Sequence, residues 1–393
     1  IDYLIISSRS MNKIIWISAA VLSVAACAKN EVIPVNSGEN QEITFNVAPK
    51  TKAHTEFDKH FKFKSYAYYL PGDDKWGNPS NTNTAAPSLY IDGAEIAYRD
   101  KTTGSKEKVW KADKTYYWPK NGSLTFFAYS LNKENLKLDD AAASMVMCDP
   151  SQGIYAHIDL SVDKNVDFLV ADIKADQKAN TTTTGESGKY YTDGVPTLFR
   201  HRLSYLAFNV KTDKDYSAAG KKLELKSITF NRISSYGEYR QFAITSFGRF
   251  YPSGFNTSNA TWHVGTINFT RISTAESPFT MEIKSSGSSI SDMDNFLYIP
   301  QTFADDSYIE VVYTITTNVG SGSVTEIVTK TIQLNTLFPT KYDTSDHTKV
   351  IGGGWEMGKK YTINLTFTLD EILWDPAVQD WDVEGTTVNK TVA

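Results

Sequence analysis

Short segments in which apolar and polar residues alternate run through most of this 393-residue chain. Clusters of Gly, Asn, Asp and Ser separate these segments, and windows with helical spacing are few. Alternation with a period of two lets a strand bury one face and expose the other, as in antiparallel sheets. The pattern therefore predicts an all-β protein made of sandwiches. Examples are Ile43–Val47, Phe63–Leu70, Leu124–Tyr129, Leu203–Val210, Tyr308–Thr316 and Tyr361–Leu369.

The composition supports a folded β-protein and argues against a nucleic-acid partner. Hydrophobic residues make up 41% of the chain and aromatic residues 13%, and such abundant aromatics are typical of strands. The formal net charge is -5, which disfavours a surface that binds phosphates.

The N-terminal segment has the pattern of a secretion signal. A basic residue, Lys13, precedes a mostly apolar run over residues 14–26, which is too short to span a bilayer core of about 30 Å. The small residues before Cys27 resemble a bacterial lipobox, which predicts that Cys27 is acylated and that residues 1–26 are removed. The alternative is an ordinary cleaved signal. Ala28 favours export to the outer membrane, and residues 27–41 form a polar tether.

The stretch Lys174–Gly194 contains four consecutive threonines and no apolar run, so we interpret it as a loop or linker. Placing the boundary there predicts an N-terminal domain over residues 42–194 and a C-terminal domain over residues 195–393. A boundary at Lys211–Lys222 is the alternative.

Motifs for catalysis or metal binding are absent from the sequence. The six histidines show no ligand spacing, no G-x-S-x-G elbow occurs, and Cys148 has no partner once Cys27 is acylated. We predict no catalytic residue, metal, cofactor or disulfide. A pair of glycosidase carboxylates would not be visible in sequence, because it needs only closeness in space. The aromatics Trp76, Tyr116 and Tyr117 could stack on sugars, although most aromatics belong to cores.

A series of short segments, taken together and in order, resembles the fimbrillin-like (Mfa-like/FimA-like) surface lipoproteins of Bacteroidota. The resemblance covers residues 42–381. Its segments are Ile43–Phe45 with Lys50–Ala53, Tyr116–Pro119, Gly122–Tyr129, Asp167–Ala171, Val195–Val210, Leu297–Gln301, Trp355–Thr362 and Trp374–Trp381.

This resemblance implies two transthyretin-like β-sandwich domains in tandem and a non-enzymatic role as a structural or adhesive subunit of fimbriae. It implies a lipid-anchored precursor at the outer membrane and cell surface, and a protease that cuts after the first strand. That strand then leaves, and a strand of another fimbrial subunit fills the groove by β-augmentation. The implied partners are other fimbrial subunits, the outer membrane, the processing protease and surface ligands of host or bacterial cells.

Carried over to this sequence, the displaced strand comprises Ile43, Phe45 and Val47, and the processing site is Lys50 or Lys52. The alternative for these lysines is a solvent-exposed basic turn. If the protease requires arginine, the chain stays uncut and serves as an anchor or tip.

The C-terminal segment Val378–Ala393 either donates a strand or completes the second sandwich. The alternative function is a surface glycan-binding lipoprotein that does not polymerise, and a surface hydrolase ranks third.

Overall fold

The computed structural model describes residues 42–47, 57–76, 87–132, 144–150, 152–162, 166–179, 194–241, 261–264, 269–272, 280–290, 297–338, 341–342, 350–351 and 353–380. All of them belong to one compact unit, Val35–Ala393. Among these residues, no helix is long and apolar enough to cross a membrane.

In the first half of the chain, strands form where the alternating pattern predicts them. Buried and half-buried positions largely alternate along Phe63–Leu70, as expected for a strand with one face on a core. The strands are β1 (Phe45–Val47), β2 (Phe63–Leu70), β3 (Ser88–Asp100), β4 (Lys108–Ala112), β5 (Ser123–Asn132), β6 (Met145–Asp149), β7 (Gly153–Asp159), β8 (Asp167–Ala171), β9 (Lys174–Gln177), β10 (Val195–Thr197) and β11 (Phe199–His201).

The described residues of the second half are also mostly strands, together with a 3-10 turn at Ser217–Ala219 and a short helix, α1 (Leu334–Leu337). The strands are β12 (Ser204–Thr212), β13 (Lys221–Ile233), β14 (Tyr236–Arg240), β15 (Thr261–Val264), β16 (Phe269–Ile272), β17 (Met281–Glu282), β18 (Ser288–Ile290), β19 (Leu297–Tyr298), β20 (Gln301–Thr302), β21 (Tyr308–Val319), β22 (Gly322–Gln333), β23 (Lys341–Tyr342), β24 (Val350–Ile351), β25 (Gly354–Trp355), β26 (Lys359–Phe367) and β27 (Ile372–Asp380). The predicted all-β fold is confirmed.

The largest sheet has nine strands, in the order β10-β1-β4-β3-β2-β5-β8-β11, with β9 also paired to β5. Its two end strands, β10 and β11, are separated in sequence by one residue, Leu198. The sheet therefore curls back on itself around a core. That core holds Phe45, Phe63, Trp110 and Phe126 together with Val195 and Phe199 of the two end strands.

Three further sheets complete the main architecture. A four-stranded sheet, β15-β14-β7-β6, packs on the outer side of the large sheet through a second core that includes Phe127, Phe168 and Tyr239. The β12 sheet (β18-β12-β26-β27, with β19) and the β13 sheet (β16-β13-β21-β22, with β17) enclose a third core between them. The three cores give the chain its sandwich-like layers.

Strand pairing runs across the predicted boundary at residue 195. The segment 195–201 pairs with β1 and β8 in the large sheet, and β14 pairs with β7. The loop predicted over Lys174–Gly194 is also shorter than expected, because Lys174–Gln177 forms β9 against β5. A short polar strand of this kind has no apolar alternation by which it could be predicted. The division into two tandem domains remains a prediction.

Candidate strand-exchange groove

The predicted first strand lies inside the large sheet, between two other strands. Strand β1 pairs in parallel with β10, where Phe45 lies opposite Val195, and in antiparallel with β4, where Phe45 lies opposite Trp110. A three-residue strand makes few ladder hydrogen bonds. β1 therefore depends mainly on its side chains for its place in the sheet.

The side chains of this strand alternate as the sequence predicts. Ile43 and Phe45 are 3% and 5% exposed, Val47 is half-buried against the same core, and Asn46 faces solvent. The ring of Phe45 makes edge-to-face contacts with Phe63 at 5.5 Å and with Phe126 at 5.9 Å between centroids. Burying such a side chain contributes about 1.5–3 kcal/mol, so the aromatic contacts are the main attachment of β1.

Backbone hydrogen bonds hold the chain on both sides of β1. The Ile43 N–H donates to the Tyr116 carbonyl oxygen at 2.8 Å, and the Val195 N–H donates to the Thr44 carbonyl oxygen at 2.8 Å. Because both partners are backbone groups, any extended segment of matching length could make the same bonds.

An ion pair and a tyrosine support the start of this strand. Glu42 forms an isolated bridge with Tyr117, and its carboxylate lies 3.1 Å from the Lys111 ammonium. The Tyr90 hydroxyl donates to the Tyr117 carbonyl oxygen at 2.5 Å, and burial raises the pKa of Tyr90 to about 12. The neutral, donating form of Tyr90 thus keeps the Tyr117 segment in position beside Glu42.

Gly194 allows β10 to approach β1 closely. Its φ of +85° lies in the region that glycine tolerates best, and an added Cβ would lie 2.7 Å from the carbonyl carbon of Phe45. A larger residue at this position would therefore separate the two strands.

Removal of β1 would leave a slot between β10 and β4. Its floor would consist of Phe63 and Phe126, the aromatic side chains that now contact Phe45. Phe57 and Trp110 would lie beside them, with 5.5 Å between their own two ring centroids. Such a slot has two unpaired strand edges and an apolar floor. It could bind another extended segment with alternating apolar side chains.

The other predicted site residues divide into two groups. Cys27, Lys50 and Lys52 lie outside the described residues. The donor candidate Val378–Ala393 begins inside β27, where Val378 lies opposite Tyr361, and residues 381–393 are outside the described part.

The aromatics considered for sugar stacking differ in exposure. Trp76 is 2% exposed and belongs to a core, Tyr116 is half-buried, and Tyr117 is 37% exposed. Among the described residues, no group of three or more His, Cys, Asp or Glu side chains could hold a metal ion.

Sequence reasoning missed the partner strand β10 and the role of Gly194. One local signal was available: Pro196 lacks an N–H, which favours an edge position, and β10 is the end strand of its sheet. That β10 pairs in parallel with β1 depends on a contact between distant parts of the chain, and no local pattern encodes it.

A polar surface that the sequence did not predict lies on the four-stranded sheet. His157 hydrogen-bonds through Nε2 to the Tyr155 hydroxyl at 2.6 Å and through Nδ1 to the Tyr236 hydroxyl at 2.5 Å, and its Nδ1 lies 3.6 Å from the Glu238 carboxylate. Partial burial, followed by the charge of Glu238, raises the pKa of both tyrosines. The arrangement presents aromatic rings beside polar groups.

Comparison with known proteins places the chain in a family. The family model described as "Fimbrillin-like" matches residues 74–381. A solved fimbrial protein from Bacteroides vulgatus has the same fold, with a TM-score of 0.54, 16% identity, and coverage of 87% of this chain and 100% of that one. The tip fimbrial protein Mfa3 from Porphyromonas gingivalis aligns at 11% identity and a TM-score of 0.33, covering 86% and 100%. No curated protein gives a significant match. Because the family model matches well over half of the sequence, this chain belongs to the fimbrillin-like family.

Proposed function

We propose that this chain is a non-enzymatic structural or adhesive subunit of cell-surface fimbriae that assembles by protease-triggered β-strand exchange. Membership of the fimbrillin-like family supports the fimbrial role. The observation that supports exchange is the interior position of β1, a three-residue strand that fills an apolar slot between β10 and β4.

The proposed pathway begins with a lipidated precursor. Acylation of Cys27 anchors the chain to the outer membrane, and a surface protease then cuts at Lys50 or Lys52. The cut separates β1 from the rest of the chain, and the retained contacts of Ile43 and Phe45 are too few to hold a free strand indefinitely. A strand of another fimbrial subunit then occupies the slot.

The energetic balance favours a longer donor. The segment 43–47, which contains β1, contributes two well-buried side chains, Ile43 and Phe45, and a half-buried one, Val47. A donor strand with the same alternation but more residues would add ladder hydrogen bonds at about 0.5–1.5 kcal/mol each. Exchange would therefore proceed toward the longer strand once the cut has been made.

Binding of a peptide to the cut protein tests this proposal. The soluble chain of residues 28–393, called the ectodomain here, contains the whole compact unit that begins at Val35. After mild trypsin treatment we expect loss of the segment that carries β1, seen by mass spectrometry, and a gain of affinity for a labelled peptide copying residues 42–47 or 378–393.

The test variant and its matched control each replace two lysines. Lys50→Gln/Lys52→Gln should resist cutting and bind no peptide, whereas Lys101→Gln/Lys106→Gln, which alters an exposed turn, should behave like the original chain. A cut ectodomain that releases β1 but binds neither peptide contradicts strand exchange.

Glycan binding is a second candidate, favoured by the polar aromatic surface around His157. Tyr155 and Tyr236 flank this histidine, and Arg240 lies over the Tyr155 ring at 5.6 Å. Rings beside charged groups suit stacking and hydrogen bonding to sugars. Glycan arrays with the ectodomain and with Tyr155→Ala/Tyr236→Ala test this role: array signals that the double variant abolishes support it, and the absence of signals rejects it.

A further inference from the structure

Strand β22 forms an exposed outer edge of the β13 sheet. It runs for 12 residues and pairs with β21 in an unbroken register, and no other strand in the described part of the chain pairs with its far side. Every residue from Gly322 to Ile327 is exposed. The backbone groups on the far side of β22 are therefore open to another strand.

This edge lacks three of the features that often prevent pairing. Edge strands are commonly protected by a proline, a bulge or short length. Pro376 lies within β27, the end strand of the β12 sheet, and Pro196 lies within β10, but β22 contains no proline and no register shift. Two apolar side chains on β22 are also largely exposed, Val324 at 63% and Ile327 at 72%.

We propose that β22 pairs antiparallel with β22 of a second copy of this chain, about a two-fold axis at Val328. An axis perpendicular to the sheet keeps the core-facing sides of both copies on the same side. Val328 then lies opposite itself, Val324 lies opposite Ile332, and Glu326 lies opposite Lys330. The paired region covers nearly all of the strand.

The charges on β22 select this occupant and this register. Glu326 and Lys330 share one face of the strand, so an axis at Val328 creates two identical ion pairs across the new interface. An axis one residue earlier, at Ile327, would place Glu326 opposite Val328 and Lys330 opposite Val324. Axes at other residues also fail to place Glu326 opposite Lys330. Because β22 carries both charges of the ion pair, a second copy of β22 is a charge-complementary partner for it.

The local structure keeps Lys330 available for this contact. Its ammonium donates to the Asp370 carbonyl oxygen at 2.7 Å, which orients the side chain and leaves further donors for a carboxylate. Glu326 is exposed. The lysine is thus positioned before association, and pairing adds an acceptor that the single copy lacks.

This contact is independent of the proposed exchange at β1. β22 belongs to the β13 sheet and its core, whereas β1 belongs to the nine-stranded sheet. A two-fold contact joins two subunits side by side, while donation of a strand joins them in a line. Uncut ectodomain, in which β1 is still covalently linked, should therefore form the dimer.

Cysteine cross-linking tests the position of the axis. In a Cys148→Ser background, Val328→Cys places two thiols at the axis, with Cα atoms about 4.5–5.5 Å apart, within the range that a disulfide requires. Oxidation with diamide should give a covalent dimer. Val324→Cys is the matched control, because its two copies would lie about 25 Å apart along the strands, and it should remain monomeric under the same oxidation.

Charge reversal tests the register. In sedimentation velocity of uncut ectodomain, Glu326→Lys and Lys330→Glu should each weaken the dimer about tenfold or more, because each places like charges opposite each other twice. The double variant Glu326→Lys/Lys330→Glu should restore it. Glu107→Lys, which makes the same charge change on the β3–β4 connection, should have no effect.

Three results would overturn the proposal. The first is an ectodomain that stays monomeric at all concentrations tested. The second is a dimer whose strength the single reversals leave unchanged or the double reversal does not restore. The third is equal cross-linking of Val328→Cys and Val324→Cys.

Discussion

The N–H of Val195 donates to the carbonyl oxygen of Thr44 at 2.8 Å, so the segment that leads into β1 is held by β10, a strand from far later in the sequence. Strand β10 can take this place only because Gly194 precedes it. β1 therefore links β10 to the rest of the nine-stranded sheet.

Replacing Gly194 should weaken the fold at this contact. Gly194→Ala should lower the free energy of unfolding by about 1–3 kcal/mol, because alanine is strained at positive φ and its Cβ would press on Phe45. Gly104→Ala is the matched control: Gly104 has a similar φ of +79° and open space around it. Urea unfolding should show the larger loss for Gly194→Ala, and equal losses would contradict close packing of β10 on β1.

Truncating the aromatic anchor of β1 should cost more. Phe45→Ala should lower the free energy of unfolding by about 3–5 kcal/mol, because it removes a buried ring that contacts Phe63 and Phe126. Asn46→Ala, on the solvent face of the same strand, should change it by less than about 0.5 kcal/mol. Chemical denaturation measures both, and similar small effects would show that β1 carries little of the stability.

Alkaline pH should destabilise the protein through two tyrosines, the buried Tyr68 and the half-buried Tyr90. Burial raises the pKa of Tyr90 to about 12 and raises that of Tyr68, whereas the unfolded chain has the ordinary value. The folded state therefore holds these protons more tightly. The stability that they contribute is complete below about pH 10 and decreases as the pH rises toward the folded-state pKa.

Urea unfolding between about pH 8 and about pH 11 measures this dependence. Tyr90→Phe should give a shallower loss of stability with pH than the original chain. An unchanged slope would mean that Tyr90 has similar pKa values in the folded and unfolded states.

Chelators and reductants should leave thermal unfolding unchanged. The described residues contain no cluster of metal ligands, and the described cysteine, Cys148, is free. A melting shift of more than about 5 °C with EDTA corresponds to roughly 1–2 kcal/mol for a domain of this size and would reveal a bound ion. Dithiothreitol provides the parallel measurement for a disulfide.

Lipid labelling tests the anchor. Cys27→Ser should lose incorporation of a fatty-acid probe in a cell that processes lipoproteins, because acylation uses the thiol of this residue. Cys148→Ser should label normally. Unchanged labelling of Cys27→Ser would end the lipid-anchor hypothesis.

Alternation in sequence was enough to predict much of the sheet structure. Leu124–Tyr129 lies within β5, Tyr308–Thr316 lies within β21, and Ile43–Val47 contains β1, with Phe45 buried and Val47 half-buried. These predictions succeed because a half-buried strand imposes its period on its own residues.

Pairing between distant strands could not be predicted in the same way. The parallel pair of Phe45 with Val195 joins residues from opposite sides of the expected linker, and β14 joins β7 across the same boundary. Which distant strands pair depends on which strand edges the local hairpins leave unpaired. This depends on residues throughout the chain and not on any one segment. For the same reason the sequence predicts a loop where the polar strand β9 forms.

Electron microscopy of the ectodomain before and after mild trypsin treatment tests the central claim most directly. Strand exchange predicts filaments from the cut protein at high concentration, and none from the uncut protein or from Lys50→Gln/Lys52→Gln. Cut protein that has lost the segment carrying Phe45, as shown by mass spectrometry, and that still forms no filaments, alone or with uncut chain, would contradict it.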